Sequence, residues 1–560
     1  MKIWKLVFWI VIIAITFFSR FYKLVQFPPG LTIDEVSIGY NAFSILKTGK
    51  DEWGKFLPIS FKSVGDYKAP TLIYLTVPFV KLLGLNEIST RLPVALFSAF
   101  NIYLLWLFVR RYIFNKKYFF LSYLATFIFS LSPWLTVYSR SGFEAIIALT
   151  FLLINLIFAF EYRKTGRLIY FVFMFIFAYL SAITYHSTKI VVPLLNIIFV
   201  LTDYKYFLNC VVSWNSKNKL LLLASAFLFI AITLFFIDNF VFGLGASRAS
   251  MTFLTKDFDY ARGMLPTFVA HPLSSLTSAI GLISFWFKRC LEYFSANFYL
   301  SSGLGLTTFN HPGQGVIFAI EYPFLITGFF ILLSTQKYFD SAISKKFVSN
   351  ILIFWFFLTL LPASITNNSQ HSLRTLNIVP VVSILITIGL VFIFELIKKK
   401  YLRYLFGAII FIGYIVGVVR FIDYYTLHYP VELSETRSFG WKQVAIYARD
   451  HHTEYDDVYV DPRFGTVGPY TYGVPYMYFL FYSRYDPEIY ANDPRRQEGR
   501  TDFENYLFTP INWWGIDHSN NNLYIASPWS FPEELQNSDK QKYYVEFLNR
   551  ASGLYVISDK

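Results

Sequence analysis

The stretch PPGLTIDEVSIGYNAFSILKTGKDEWGKFLPISFKSVGDYKAP, residues 28–70, is the polar segment around which this 560-residue chain is organised. It follows the first apolar run directly, carries the acidic pair Asp34-Glu35 near its start and ends in GDYKAP. Within residues 34–47 apolar side chains recur every three or four positions, which predicts a helix lying along a membrane surface. Acidic side chains in the first turn suit the positive end of the helix dipole.

The rest of the chain is strongly apolar. It is 55% hydrophobic and 21% aromatic but only 15% charged, whereas soluble proteins carry about 25% charged residues. Long uncharged runs recur, which predicts an α-helical polytopic protein of the plasma or inner membrane. The net charge of +13 comes from short basic clusters between the apolar runs. This placement follows the positive-inside rule and argues against a nucleic-acid partner.

The basic clusters also set the predicted topology. The run at 70–85 is short and contains two prolines, so we interpret it as an interfacial helix and not as a span. Every basic cluster is then cytoplasmic, as is the N-terminus, whose apolar run lacks a cleavage site and is interpreted as an uncleaved helix. About eleven spans result, at 3–19, 91–109, 118–137, 143–160, 168–184, 190–202, 220–237, 316–333, 347–362, 375–396 and 403–421.

Three segments are then extracytoplasmic: a first outer loop at 20–90, a long outer loop at 238–315, and residues 422–560. Residues 273–287 are apolar enough to span, but a span there would invert everything after it, so we interpret them as an outer amphipathic helix. Residues 422–560 are polar, Tyr-rich and broken by Pro and Gly. A helix at 441–449, a turn leading into a strand at 455–461, and short strands at 523–526 and 554–557 predict a small α/β domain. The chain therefore divides into a transmembrane module, 1–421, and this domain, 422–560.

Asp34-Glu35 is the first candidate for chemistry. The pair either caps a helix on a solvated loop or supplies a general base that takes a proton from an acceptor hydroxyl. Asp66, Tyr67 and Lys68 form the second candidate. The lysine either snorkels beside the membrane or neutralises a phosphate leaving group.

Further polar candidates follow the spans on the same outer side. Arg140 and Glu144 are four residues apart, and either form an ion pair on one helix face or belong to a functional site. The remaining candidates are His186 and Lys189, His371 and Arg374, and His311 in a Gly-rich stretch that suits a lid. The alternative for each of them is a plain interfacial or connecting role. Arg374 enters an apolar run, which suggests a phosphate or carboxylate partner.

All these groups lie on one predicted face, while the helix centres are almost uncharged. A transporter places some ionisable residues near mid-bilayer, so an enzyme acting at the outer face fits better. No Cys/His cluster has zinc spacing, so we predict no cofactor, and the sequence leaves a metal requirement open.

Three short motifs now resemble a known family. They are Asp34-Glu35, Lys68-Ala69-Pro70 and Arg91-Leu92-Pro93. In order and spacing they are similar to those of the polyprenyl-phosphate-sugar-dependent glycosyltransferases of the type C fold, which include protein O-mannosyltransferases and the lipid A aminoarabinose transferase. The chain departs from the family pattern at Ala69, where the family has proline, and at Glu144, where it often has Asp.

The resemblance implies an inverting transfer of a sugar from an undecaprenyl- or dolichyl-type phosphate to a glycan, lipid or protein acceptor. By that resemblance Asp34 is the base, Glu35 belongs to the same site, and the phosphate is held by Lys68, Arg140, Arg374 and His371. It also implies a helical bundle with an appended outer domain. The alternatives are a transporter or flippase of lipid-linked glycans, and a non-catalytic envelope assembly or sensor protein whose outer domain binds the ligand.

Overall fold

The computed structural model describes residues 3–213, 253–257, 275–301, 314–340, 344–367, 370–496 and 501–560. The α-helices are α1 (Ile3–Arg20), α2 (Ile33–Thr48), α3 (Pro70–Leu83), α4 (Glu87–Phe108), α5 (Leu121–Leu131), α6 (Pro133–Ser139), α7 (Ala145–Thr165), α8 (Leu168–Thr184), α9 (Thr188–Thr202), α10 (Tyr204–Ser213), α11 (Ser275–Glu292), α12 (Ala296–Leu300), α13 (Tyr322–Ser334), α14 (Lys345–Ser364), α15 (Val379–Leu396), α16 (Lys400–Asp423), α17 (Tyr429–Glu432), α18 (Trp441–His451), α19 (Pro475–Ser483) and α20 (Pro487–Asn492). The strands are β1 (Phe61–Ser63), β2 (Asp66–Lys68), β3 (Val458–Val460), β4 (Tyr506–Phe508), β5 (Leu523–Ala526), β6 (Gln541–Glu546) and β7 (Ser552–Ser558).

Among the described residues, six helical segments are long and apolar enough to cross a membrane. They are Ile3–Arg20, Glu87–Ile113, Ala145–Thr165, Lys345–Ser364, Leu376–Leu396 and Lys400–Glu432. Two bent pairs, α5 with α6 and α9 with α10, bring the number to eight if each pair is one span. The chain is therefore a multi-pass membrane protein, as predicted.

Each predicted span outside residues 214–252 overlaps a single α-helix, except 118–137, which falls on α5 and α6 with a bend of 52° between them. The span at 220–237 lies outside the described residues, and the count of eleven stays a prediction, as does the sidedness. Helix α3 has 14 residues, too few for the about 20 that a span needs, which agrees with its interpretation as interfacial. Helix α11, predicted at 273–287, exposes Ile280, Ile283 and Phe287 on one face, the pattern of a helix lying in an apolar interface.

The chain forms two compact units, which divide it differently from the prediction. The first comprises Met1–Tyr22, Val94–Ser139 and Phe143–Ile422, and the second Lys23–Pro93, Arg140–Gly142 and Asp423–Lys560. The predicted domain start at residue 422 falls one residue before the second unit's last segment. However, most of the first outer loop, which the sequence assigned to the transmembrane module, belongs to the second unit.

The first unit is a bundle of apolar helices in which α7 packs along α8 and α13 along α15. Two glycines explain the closeness of α13 and α15. A Cβ atom on Gly328 would lie 1.9 Å from the carbonyl oxygen of Leu385, and one on Gly389 would lie 2.0 Å from that of Phe324. Small residues let helix backbones approach in this way where lipid removes the hydrophobic driving force between helices.

The second unit contains a five-stranded sheet in the order β4-β3-β5-β7-β6. Strand β3 is parallel to β4 and β5, while β7 is antiparallel to β5 and β6. One face of the sheet is covered by a cluster that includes Tyr524, Phe531 and Ile557. The predicted α/β domain is confirmed, with the helix at 441–449 and the strands at 523–526 and 554–557 in their expected places. Strands β4 and β6 were missed because their residues do not alternate cleanly.

Candidate active site

The candidate site is built on the first turn of α2. Thr32 caps this helix: its hydroxyl accepts from the Glu35 backbone N–H, and its own N–H donates to the Glu35 carboxylate at 2.8 Å. This reciprocal capping box fixes the start of the helix. Gly49 ends the helix in the left-handed conformation, with φ of 71°, which only glycine adopts without strain.

Asp34 and Lys68, both predicted site residues, form an ion pair. Lys68 comes from β2, which pairs with β1 in a hairpin where Lys68 lies opposite Phe61. The Lys68 side chain is 4% exposed, whereas that of Asp34 is 38% exposed. The carboxylate is therefore open to a reactant, while the ammonium that neutralises it is shielded from water.

Glu35 is the neighbour of Asp34 in sequence but has different surroundings. Its side chain is completely buried and forms ion pairs with Arg91 at 2.7 Å and Arg437 at 3.2 Å. The backbone N–H of Gly142 donates to it at 3.1 Å. Burial by itself would raise the pKa of Glu35, but the charges of Arg91 and Arg437 outweigh it and hold that pKa below its usual value.

The hydrogen bonds of Glu35 define its chemical role. One carboxylate oxygen accepts from Arg91 and Gly142, and the other from Thr32 and Arg437. An ionised carboxylate with both oxygens occupied by donors and no access to solvent is a structural anchor. From the sequence, Glu35 was either a site residue or a helix-capping charge. In the structure it caps α2 and also pairs with two buried arginines.

Arg140, predicted to hold phosphate, is 3% exposed. It donates to the carbonyl oxygens of Phe27 at 2.8 Å and Lys23 at 3.0 Å, and its guanidinium lies 5.8 Å from the centre of the Tyr425 ring. Burial lowers its pKa, and so does the neighbouring positive charge of Arg91. The expectation that Arg140 and Glu144 share one helix face is wrong, since α7 begins only at Ala145, and an ion pair between them stays a prediction. Arg140 therefore lies in the turn before the helix.

The remaining predicted residues divide between the two units. Asp66 and Tyr67 stand in β2 directly before Lys68, so the second unit contains Asp34, Glu35, Asp66, Tyr67, Lys68 and Arg140. The first unit contains Glu144, His186, Lys189, His371 and Arg374. His311 lies outside the described residues.

Within the first unit the predicted residues form local contacts. The Lys189 ammonium lies 3.1 Å from Nδ1 of His186. Arg374 donates to the hydroxyl of Thr366 and to the carbonyl oxygen of Asn367, both at 2.6 Å, and the His371 backbone donates to the Tyr293 hydroxyl at 3.0 Å. Among the described residues no group of three or more His, Cys, Asp or Glu side chains is placed to hold a metal ion.

Sequence analysis missed Arg437. It lies in the short segment between α17 and α18 and is 1% exposed. Its neighbours carry no pattern that singles it out, and its partner Glu35 lies 402 positions earlier in the chain. Arg91 was noted only as part of the Arg-Leu-Pro motif, without the role of pairing with Glu35.

Comparison with known proteins identifies the fold. No protein-family profile matches the sequence, and a search of curated proteins finds no significant match. Among solved structures, the chain is similar to ArnT from Cupriavidus metallidurans in the apo state, with a TM-score of 0.50, 12% identity and coverage of 100% of this chain and 98% of that chain. It is also similar to the archaeal oligosaccharyltransferase AglB from Archaeoglobus fulgidus in complex with an inhibitory peptide and a dolichol-phosphate, with a TM-score of 0.50, 11% identity and coverage of 94% and 69%. The chain thus has the predicted type C glycosyltransferase fold.

Proposed function

We propose that this protein is an integral membrane inverting glycosyltransferase that moves a sugar from a polyprenyl-phosphate donor to an acceptor at the extracytoplasmic face. The observation that carries the proposal is the ion pair between the accessible carboxylate of Asp34 and the buried ammonium of Lys68. An accessible carboxylate can act as the general base, and an ammonium can stabilise the negative charge of a phosphate leaving group.

In the proposed reaction Asp34 accepts the proton of the acceptor hydroxyl or amine. The acceptor atom bonds to the anomeric carbon as the bond from that carbon to the phosphate oxygen breaks, which inverts the configuration. The polyprenyl phosphate leaves with the bonding electron pair, and Lys68 balances its negative charge. Arg140 adds a second positive charge in the same unit, and Arg374 and His371 of the first unit remain proposed phosphate contacts.

The fold supports this assignment of substrates. The AglB structure contains a dolichol-phosphate and an inhibitory peptide, that is, a lipid phosphate and a peptide on a protein of the same fold. For this chain we therefore propose a lipid-phosphate-linked sugar as donor. The acceptor class, whether glycan, lipid or protein, and the identity of the sugar are open in the proposal.

The test uses purified full-length protein in lipid nanodiscs with a panel of radiolabelled polyprenyl-phosphate sugars and envelope extracts as acceptors. We expect a labelled product from the wild type and a loss of at least about 100-fold for Asp34→Asn, the range that general base catalysis supplies. The matched control is Asp486→Asn, because Asp486 caps α20 by accepting from two backbone N–H groups. Full activity of Asp34→Asn would disprove the base assignment. Movement of labelled lipid across liposomes without a glycosidic product would favour the transporter alternative.

A further inference from the structure

The segment between α17 and α18 contacts the first turn of α2, which carries the candidate base, through a buried ion pair between Arg437 and Glu35. We infer that Arg437 is a positioning residue: by pairing with Glu35 it holds the first turn of α2, and hence Asp34, in the geometry that catalysis requires. The inference rests on the proposed function, since the geometry matters to rate only if Asp34 is the base.

The contacts of Arg437 converge on the start of α2. Its Nη2 lies 3.2 Å from Glu35 Oε2, and its Nε donates to the carbonyl oxygen of Pro29 at 3.4 Å. Its Nη1 lies 3.5 Å from the hydroxyl of Tyr429. The guanidinium of Arg437 contacts both the loop before α2 and Glu35, the third residue after the cap. It therefore fixes both relative to the 429–437 segment.

Other contacts from the same region fix the rest of α2. The hydroxyl of Tyr478 donates to the carbonyl oxygen of Leu31 at 3.0 Å. The hydroxyl of Tyr40 donates to the backbone carbonyl oxygen of Tyr485 at 3.1 Å. A Cβ atom on Gly39 would lie 2.5 Å from the Phe481 ring, so helix and ring are in close contact. Residues 429–485 therefore hold α2 at its cap, its first turn and its middle.

The charge balance explains why Arg437 is needed in addition to Arg91. Both oxygens of the fully buried Glu35 carboxylate require donors, and Oε2 accepts from the Thr32 N–H at 2.8 Å and from the Thr32 hydroxyl and Arg437, both at 3.2 Å. Without Arg437 the only charged donor left to Oε2 is Nη2 of Arg91, whose contact is longer, at 3.4 Å, so the capping box must hold this oxygen with less support. Since Asp34 is the adjacent residue in the same turn, a small rotation of this turn moves its carboxylate. A displacement of a reacting group by about 1 Å costs about 100-fold in rate.

The experiment measures steady-state kinetics and hydrogen exchange on the full-length protein in nanodiscs. For Arg437→Met we expect kcat to fall about 10- to 100-fold while KM for the donor stays within about twofold, and backbone exchange in residues 31–40 to rise. Arg437→Lys, which keeps the charge but not the fork, should recover part of kcat. In a Glu35→Gln background, Arg437→Met should cost much less than in the wild type, because the two residues act as one unit.

The matched control is Arg463→Lys, because Arg463 pairs with the buried Asp461 within the same domain. This variant should alter thermal stability without changing kcat or exchange in residues 31–40. An unchanged kcat in Arg437→Met would overturn the inference. So would a rise in donor KM that accounts for the whole loss of activity, because it would indicate direct contact between Arg437 and the phosphate. If wild-type protein transfers no sugar, the proposed function fails, whereas the exchange data still decide whether Arg437 fixes α2.

Discussion

The ammonium of Lys68 lies against the carboxylate of Asp34 in a pair that joins the β1–β2 hairpin to the first turn of α2. The two residues are 34 positions apart, and the hairpin that carries Lys68 is tied to α2 by a hydrogen bond of 2.6 Å between the Ser37 and Ser63 hydroxyls. The pair leaves Asp34 accessible and Lys68 shielded. In the proposed reaction Lys68 exchanges its carboxylate partner for the donor phosphate, which leaves the carboxylate free to accept a proton.

Replacement of Lys68 by Met should therefore lower kcat/KM for the donor about 100-fold, because the leaving phosphate loses its nearest positive charge. Lys68→Arg should retain part of the activity. Steady-state kinetics in nanodiscs measures both. Lys62→Met is the control, since Lys62 lies in the same hairpin and contacts the Trp53 ring at 4.7 Å. Equal losses in the Lys62 and Lys68 variants would point to damage of the hairpin instead.

Glu35→Gln should primarily destabilise the protein. It leaves Arg91 and Arg437 buried without their counter-charge, and breaking such a buried network costs about 3 kcal/mol. The expected result is a clear drop in the thermal midpoint in detergent. Asp34→Asn should keep a midpoint near that of the wild type, because the Asp34 side chain is 38% exposed. A Glu35→Gln variant as stable as the wild type would show that the arginines find other partners.

Glu52 should make stability depend on pH. It is completely buried, with hydrogen bonds from Asn41, Trp53 and Tyr476, and burial raises its pKa to about 7. Because the folded protein binds this proton more tightly than the unfolded chain, the carboxyl's contribution to the free energy of unfolding falls as pH rises from about 4.5 through about 7.

The full effect is about 3.5 kcal/mol, because the pKa of Glu52 rises from the ordinary 4.5 to about 7 and a tenfold change in proton affinity corresponds to about 1.4 kcal/mol. Thermal midpoints of wild type and Glu52→Gln between pH 5 and pH 8 measure it. The variant should lose less stability over this range than the wild type. Parallel curves for the two proteins would mean that Glu52 is not the responsible group.

The predicted topology places residues 398–400 in the cytoplasm and residues 430–560 outside. In a Cys210→Ser, Cys290→Ser background, cysteine introduced at Lys399 or Asn549, both exposed, reports each side. An impermeant thiol reagent added to intact cells should label the Asn549→Cys protein, and the Lys399→Cys protein only after permeabilisation. The reverse pattern would mean that one of the apolar helices was wrongly assigned.

Much of the fold was predictable from local sequence. Apolar runs mark the helices of the membrane unit because lipid demands uncharged segments of sufficient length. The spacing in residues 34–47 predicted α2, and the β-rich segments at 523–526 and 554–557 predicted β5 and β7. Strands β4 and β6 were missed because their residues do not alternate cleanly. The grouping of residues 23–93 with the C-terminal segment was not predictable, because it depends on contacts between distant parts of the chain.

The sequence by itself determined that this is a multi-pass membrane protein with an acidic pair at the start of a helix and a lysine just before the next helix. Only the tertiary structure separated the roles of the two acids. Consecutive helix residues point about 100° apart, so Asp34 faces Lys68 at an accessible position while Glu35 turns into the interior. There it meets Arg91 and Arg437, which lie 56 and 402 positions away. Those partners are chosen by long-range packing, which leaves no trace in the residues around Asp34 and Glu35.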